Sequence, residues 1–293
     1  MTSNLLRATL ITLSLLGTCQ AADVDDFLDF SAADLPGRLY VPPAAESSAR
    51  PVILFLHGAG ETGTNNRAQI NQNIDNLFDE AKDRGAFLYA PQATTVSGGI
   101  FNWDDTDRTD AVIAKLDQIL TDQNVDPNRI YITGLSMGGG GTWNMVSRNP
   151  ERFAAAVPIA GVRVAEDFVP ANTLGTPTWA FHARNDGVVS RRNSQSVVDN
   201  ILAASGAAGL EYPSARDRET TFQFVSEDMN LLYTEYPTGN HGIWGRVYDT
   251  PELHDWMFAQ AVPEPSSVSL FLVSVAMLFS TFRRRTTWTN FVK

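Results

Sequence analysis

This chain of 293 residues is short of cysteine, of histidine and of positive charge. Its single cysteine, Cys19, lies close to the N-terminus. The body of the chain therefore can form no internal disulfide, build no thiolate metal site and offer no cysteine nucleophile. There are only 4 histidines, so any imidazole chemistry must come from His57, His182, His241 or His254. Lys and Arg number 22 against 33 Asp and Glu, a formal charge of −11. Several basic residues (Arg7, Arg283, Arg284, Arg285 and Lys293) sit at the ends, which leaves the body more acidic still. Nucleic acid and anionic membrane surfaces are poor partners for such a body. No metal or dinucleotide cofactor is indicated. Asp104, Asp105 and Asp107 lack the further ligand spacing and closing glutamate of a calcium loop, and read as a solvated turn.

Apolar runs of membrane or leader type occur at the two ends. Residues 1–22 carry Arg7, an apolar run over 8–17 and then small residues through Ala22. That is the order of a secretory signal, with cleavage expected near Ala21. Leu16-Gly17-Thr18-Cys19 approximates a lipobox, but Thr18 stands where Gly, Ala or Ser is usual. At the other end, Val262-Pro263-Glu264-Pro265 precedes an apolar stretch at 266–282 and the cluster Arg283-Arg284-Arg285. That stretch meets the lower limit of about 17 residues for a membrane span, and the arginines would hold its end on the cytoplasmic side. The three-part pattern over 262–293 resembles a PEP-CTERM sorting signal, which implies export in a Gram-negative-type bacterium, an exosortase-like processing partner and membrane contact only through the tail. The sequence departs from the pattern in continuing through 286–293. A plain C-terminal anchor predicts the same topology without cleavage. Residues 23–261 remain, a length that suits one larger α/β domain.

Within that body, strand-like and helix-like segments alternate. Runs at 51–56, 86–90, 130–133, 154–159, 178–181 and 231–236 read as strands. Segments 73–84, 111–120, 194–202 and 252–258 carry helical spacing. Strands apolar on both faces and separated by helices predict a mostly parallel central sheet with helices on both faces. Two segments stand outside the pattern: a polar loop at 92–107, and an inserted loop at 207–228.

The most informative stretch is Ile130-Tyr131-Ile132-Thr133-Gly134-Leu135-Ser136-Met137-Gly138. A β-branched strand running into Gly-x-Ser-x-Gly and then a helix is the form of a nucleophile elbow. In open α/β sheets, ligands gather beyond the carboxyl ends of the strands, so the residues just past each strand are the candidates. They are His57-Gly58-Ala59-Gly60-Glu61, then Ser136, then His182 to Asp186, and finally Asn240-His241-Gly242. The order Ser136, Asp186, His241 is that of a hydrolase triad. Ser136 would attack, His241 would act as base, and Asp186 would orient the imidazole. The backbone N–H groups of Met137 and Ala59 would stabilise the oxyanion. The other histidines fit less well. His57 precedes the serine and suits a role in shaping the oxyanion loop, His182 precedes the acid, and His254 lies in a helical stretch. Asp199, Asp217 and Asp228 lie on a helix or in the polar insertion and read as solvated. His57, His182, Trp103 and Trp244 fall near the expected site and are candidate pocket residues, although large aromatics on such loops equally often anchor the loop.

On these motifs the chain resembles the α/β-hydrolase superfamily. Leu56-His57-Gly58-Ala59-Gly60-Glu61, Gly134-Leu135-Ser136-Met137-Gly138-Gly139 and Arg148-Asn149-Pro150-Glu151-Arg152-Phe153 are similar to its polysaccharide-esterase and polyester-depolymerase-like branch, which includes predicted peptidases. The resemblance covers about 39–258. It implies the α/β-hydrolase fold and a serine carboxylesterase that cleaves an ester substrate, in the leading case polymeric, without a cofactor. A serine peptidase on the same fold is the first alternative. A surface-binding module built on an inactive hydrolase is the second.

Overall fold

The computed structural model describes residues 22–43, 45–71, 73–94 and 103–262. The expected leader, the PEP-CTERM-like tail and its apolar stretch at 266–282 fall on 1–21 and 263–293, outside the described residues. Among the described residues no helix is long and apolar enough to cross a membrane.

In chain order the strands are β1 (Leu28–Asp29), β2 (Gly37–Tyr40), β3 (Arg50–Leu56), β4 (Phe87–Pro91), β5 (Val125–Leu135), β6 (Ala155–Ile159), β7 (Thr178–Ala183), β8 (Phe222–Ser226) and β9 (Leu231–Tyr236). The helices are α1 (Ala68–Asn71), α2 (Asp75–Asp83), α3 (Thr106–Asp122), α4 (Met137–Arg148), α5 (Arg192–Ala204), α6 (Trp244–Tyr248) and α7 (Pro251–Ala259). The strands form one sheet in the order β1-β2-β4-β3-β5-β6-β7-β9-β8. Its central pairs are parallel, while β1, β2 and β8 join antiparallel at the two edges.

The alternation along β3 explains the two covering layers. Ile53 and Phe55 face one side and pack with Leu77 and Phe78 of α2 and with Leu253 and Met257 of α7. Val52, Leu54 and Leu56 face the other and pack with Val112 and Leu116 of α3 and with Met145 of α4. A strand apolar at every position needs a layer on each face, because each large side chain taken from water contributes about 1.5–3 kcal/mol. Helix α5 extends the second layer over β7 and β9, where Val198 and Ile201 meet Ala180 and Tyr233.

Two segments differ from the sequence reading. The insertion at 207–228 contains an edge strand, β8, which pairs antiparallel with β9. Its half-buried Phe222 and Phe224 alternate with exposed Gln223 and Val225, a period-two pattern that the neighbouring charges obscure. Helix α3 starts at Thr106, before the first apolar position of its repeat. Asp105 caps it, accepting the Arg108 N–H at 3.0 Å. Asp104 accepts from the Asn144 side chain of α4 at 2.8 Å. Of the three aspartates expected in a solvated turn, one thus caps α3 and another ties the start of α3 to the middle of α4.

The tightest approach in the fold lies where β5 turns into α4. A Cβ built on Gly138 would stand 1.9 Å from the Leu56 carbonyl oxygen, and one on Gly134 would stand 2.4 Å from the Gly138 oxygen. Both obstacles are backbone, which cannot swing aside. Gly138→Ala is therefore expected to cost about 3 kcal/mol or more. Gly60→Ala, with nothing within 4 Å of the added carbon, should leave the urea unfolding midpoint within error of wild type. Equal midpoints for the two variants would refute this account of the turn.

Candidate active site

Ser136 occupies the turn between β5 and α4 with φ 54° and ψ −113°, a left-handed conformation rare for a residue with a side chain. Three backbone bonds hold it there. Ser136 N–H donates to Ile159 O at 2.9 Å, and Ser136 O accepts from Val162 N–H at 3.1 Å and from Gly140 N–H at 3.2 Å. The strain lifts the hydroxyl above the sheet's carboxyl edge instead of letting it fold into the helix. There Ser136 Oγ lies 2.9 Å from His241 Nε2. His241 Nδ1 lies 2.7 Å from Asp186 Oδ2. A carboxylate can only accept, so Nδ1 carries a proton, and Nε2 is left with its lone pair toward the serine. Residues 105 positions apart in sequence are thus joined by direct hydrogen bonds.

Each of these side chains is set by its own loop. Asp186 follows β7, and its Oδ1 accepts the backbone N–H groups of Val188 at 2.8 Å and Val189 at 2.9 Å. Burial alone would push its carboxyl up. The hydrogen bonds from His182, His241, Val189 and Val188 outweigh that and hold it far below the usual carboxylate range. Asp186 therefore stays ionised well into acid. His241 follows β9 after Gly239 (φ 139°) and Asn240 (φ 55°), which turn the chain back over the sheet. The Asn185 side chain donates to Asn240 Oδ1 at 2.8 Å and accepts the Asn240 N–H at 3.0 Å. This reciprocal pair clips the acid loop to the base loop. Sequence reasoning passed over both asparagines, whose signal was adjacency to Asp186 and His241.

Three of the candidate pocket residues are buried behind the site and do not line an opening. His57 and His182 are buried, as is Trp103. His57 Nδ1–H donates to Gly58 O at 2.6 Å, while Nε2 accepts the Ala93 N–H at 2.9 Å. It ties the loop after β3 to the loop after β4. Trp103 Nε1–H donates to His57 O at 3.1 Å, with its ring edge-on to the imidazole. His182 Nε2 faces Val189 O at 3.1 Å and Asp186 Oδ2 at 3.3 Å, and Nδ1 pairs with Ser194 Oγ. A carbonyl accepts only, so Nε2 carries a proton and supports the acid from behind. Trp244 differs. It is half-buried, with its ring perpendicular to that of His241 and centroids 5.4 Å apart. His254, off the site, is buried with Nε2 against Tyr248 O.

The two candidate oxyanion donors stand at helical starts, where N–H groups have no partner within the turn. Met137 opens α4, and Ala59 opens a single 3-10 turn at Ala59–Glu61. That turn passes beside Ser136, since a Cβ on Gly58 would lie 3.6 Å from Ser136 Cβ. Glu61, at the end of the turn, is buried. Burial raises its carboxyl, while the Glu61 and Gly58 backbone and the Asn73 amide pull the other way.

The acid loop is braced from outside by a buried charge cluster. Glu235 of β9 accepts from Arg184 Nε at 2.9 Å, Gln195 Nε2 at 2.7 Å and Tyr233 OH at 3.1 Å, and pairs with Arg191. Arg184 also reaches Asp217, and Arg191 reaches Pro213 O, both in the insertion. Asp217, expected to be merely solvated, is thus an ion-pair partner. The hydrogen bonds it accepts from Glu219 and Thr220 lower its carboxyl to about 2.

Burial lowers the His57 pKa from 6.5 to about 4. In the unfolded chain this imidazole is protonated below about 6.5, whereas in the fold it resists until about 4. Over that window the unfolded chain binds more protons, so stability falls as the pH falls. The contribution is about 3 kcal/mol across the window. Urea unfolding at pH 7 and at pH 4.5 should show the loss, and His57→Gln should lose less between the same pH values. An equal loss in the variant would remove His57 as the cause.

Comparison with known proteins bears on the family and the fold. A model of the dienelactone hydrolase family matches residues 50–215. A bifunctional acetylxylan esterase/xylanase of Neocallimastix patriciarum is 26% identical over 73% of this chain and 30% of its own length. A poly(3-hydroxyalkanoate) depolymerase C of Paucimonas lemoignei is 31% identical over 75% of this chain and 52% of its own. The chain thus spans about half or less of the length of these curated relatives. Among solved structures, a thermostable esterase is 32% identical with a TM-score of 0.64, over 81% of this chain and 64% of its own. An acetyl xylan esterase from Aspergillus awamori shares the fold at 15% identity, with a TM-score of 0.59 over 78% of this chain and 98% of its own. The described sheet, mostly parallel and covered on both faces, is the α/β-hydrolase fold of these esterases. With more than half of its length matched by the family model, the chain belongs to the dienelactone hydrolase family.

Proposed function

We propose that this chain is an exported serine carboxylesterase, with residues 23–261 as its catalytic domain. The observation that carries the reading is the hydrogen-bonded line from Ser136 Oγ through His241 to Asp186, at 2.9 and 2.7 Å. His241 Nε2 takes the hydroxyl proton as Ser136 Oγ bonds to the ester carbonyl carbon. The carbonyl oxygen becomes an oxyanion beside the N–H groups of Met137 and Ala59, and each such donor is worth about 10²–10³ in rate. As the tetrahedral carbon collapses, the ester C–O bond breaks, and His241 returns the proton to the departing alcohol. Water, deprotonated by the same imidazole, then attacks the acyl carbon, the bond from that carbon to Ser136 Oγ breaks, and His241 returns the proton to Ser136 Oγ as the acid leaves. Asp186 holds the Nδ1 proton and stabilises the imidazolium without taking a proton itself.

Acylated polysaccharide or polyester is the proposed substrate. The names of the acetylxylan esterase and polyhydroxyalkanoate depolymerase relatives support it. Half-buried Trp244 beside His241 offers an aromatic face at the mouth of the site, suited to a sugar ring or an apolar acyl chain. Export is supported by the apolar segment after Arg7, and cell-envelope sorting by the Pro-Glu-Pro, apolar and arginine pattern at 262–293. In this reading an exosortase-like enzyme processes the tail.

Ser136→Ala should abolish both hydrolysis of p-nitrophenyl acetate and fluorophosphonate labelling, with the unfolding midpoint retained. Labelling that survives would remove Ser136 as nucleophile, and an unreactive wild type would favour the binding module. Asp186→Asn should lower kcat by about four orders of magnitude, by presenting the wrong imidazole tautomer. A panel of acetylxylan, feruloyl esters, polyhydroxyalkanoate and peptide amides should show esters cleaved well above amides. Amide cleavage in excess would replace the esterase reading with a peptidase.

A further inference from the structure

Beside the Ser136–His241–Asp186 line lies a second, separate chain of polar contacts that the proposed reaction does not use. Trp244 Nε1–H donates to Asn73 Oδ1 at 2.6 Å. The Asn73 side-chain amide donates in turn to Glu61 Oε1 at 3.1 Å. Trp244 stands edge-on to the His241 ring. Glu61 closes the short turn that Ala59 opens. The chain therefore runs from the loop of His241 to the turn that Ala59 opens. Its other ends are equally committed. Glu61 Oε2 is buried without a hydrogen-bond partner of its own, and it lies 3.1 Å from where a Gly58 Cβ would be. The carboxylate is thus pressed against the turn's own backbone. Asn73 holds φ 65°, a left-handed conformation maintained outside any helix or strand. Asparagine is one of the few residues with a side chain that takes up this conformation readily. Its side chain is held at the same time by the two hydrogen bonds to Trp244 and Glu61.

We propose that Trp244, Asn73 and Glu61 form a strut that sets the distance between the base, His241, and the oxyanion turn at Ala59. Asn73 and Glu61 are positioning residues, and Trp244 acts as one through its N–H, whatever its ring offers a bulky substrate. Asn73 is the central link because its amide has one acceptor and one donor face, and it spends one on each neighbour. The loop after β3 and the loop after β9 lie on widely separated strands of the sheet, so no backbone ladder joins them directly. A strut between them keeps the general base and the oxyanion donor in one frame while the reacting carbon changes from planar to tetrahedral. The inference rests on the serine-hydrolase reading above.

The test uses the full chain and four variants. Asn73→Gly keeps a residue that tolerates positive φ and deletes the link. Trp244→Phe keeps an aromatic ring beside His241 and deletes its N–H. Glu61→Ala removes the acceptor for Asn73, and Glu61→Gln retains one. Asn73→Gly, Trp244→Phe and Glu61→Ala should each lower kcat on p-nitrophenyl acetate by about tenfold to a hundredfold, with little change in KM, because small misplacements of reacting groups carry penalties of that size. The inhibition constant of an aryl boronic acid, whose tetrahedral adduct needs the oxyanion donors, should rise by a similar factor. Glu61→Gln should recover most of the activity that Glu61→Ala loses. The Asn73→Gly/Trp244→Phe double variant should be no worse than Asn73→Gly alone, since both cut one connection. Fluorophosphonate should still titrate one serine per chain. Should Asn73→Gly lower Tm, Trp244→Phe carries the test, because it deletes the N–H while keeping an aromatic ring at a half-buried position. Unchanged kcat and boronate affinity, or losses that multiply in the double variant, would overturn the strut while wild-type activity left the hydrolase reading standing. A wild type that cleaves no ester and takes no fluorophosphonate would overturn both.

Discussion

Everything at the carboxyl edge of the sheet depends on one steric constraint, the meeting of three backbones around Ser136. The end of β5, the first turn of α4 and the end of β3 converge so closely that Gly134 and Gly138 have no room for a Cβ. The strained Ser136 dihedrals follow from that convergence, and the bonds to Ile159 O and from Val162 N–H lock them. A serine in relaxed helical geometry would place its hydroxyl along the helix. Here it stands clear of the sheet, with the start of α4 directly behind it and that helix's positive end turned toward it. The loop after β3 passes beside the same turn because Leu56 is already in contact with it.

The polar groups around this turn divide by their exposure. Asp186 is a buried carboxylate, and burial would favour its neutral form if the surrounding donors did not outweigh it. Those donors come from two directions, His241 in front and His182 with the backbone of Val188 and Val189 behind. Farther back, Glu235 gathers Arg184 and Arg191 from either end of the acid loop. Removing one partner from so buried a cluster leaves an uncompensated charge, so the cluster holds the loop in a single arrangement. The insertion that contains β8 joins this bracing through Asp217 and Pro213. It serves as an outer wall for the acid loop as well as an extra edge for the sheet.

The legibility of the site in sequence followed the chemistry of each residue. Ser136, Asp186 and His241 could be named because each lies in the loop that follows a strand, and strands with uninterrupted apolar runs are conspicuous. Asp186 was separable from Asp199, Asp217 and Asp228 on that ground alone. The supporting residues were harder to read. His57 and His182 have the composition of pocket residues, and only their burial reveals that they clamp loops. Trp103 sits against Gly141 of α4 and the His57 carbonyl, a position that depends on helix packing and not on local pattern. Asn73, Asn185 and Asn240 carry no periodic signal, since a polar side chain in a loop is the ordinary case.

The sequence by itself determined the alternation of strands and helices, the tight turn at Ser136, and the chain order of Ser136, Asp186 and His241. These follow from local steric and apolar patterning, which needs only near neighbours along the chain. Which loops touch was decided by the tertiary structure. The Asn185–Asn240 clip, the Glu235 cluster and the line from Trp244 through Asn73 to Glu61 join segments that lie on or follow different strands. Hydrogen bonds have a reach of about 3 Å, so such pairs exist only after the strand order has brought their loops to one edge of the sheet.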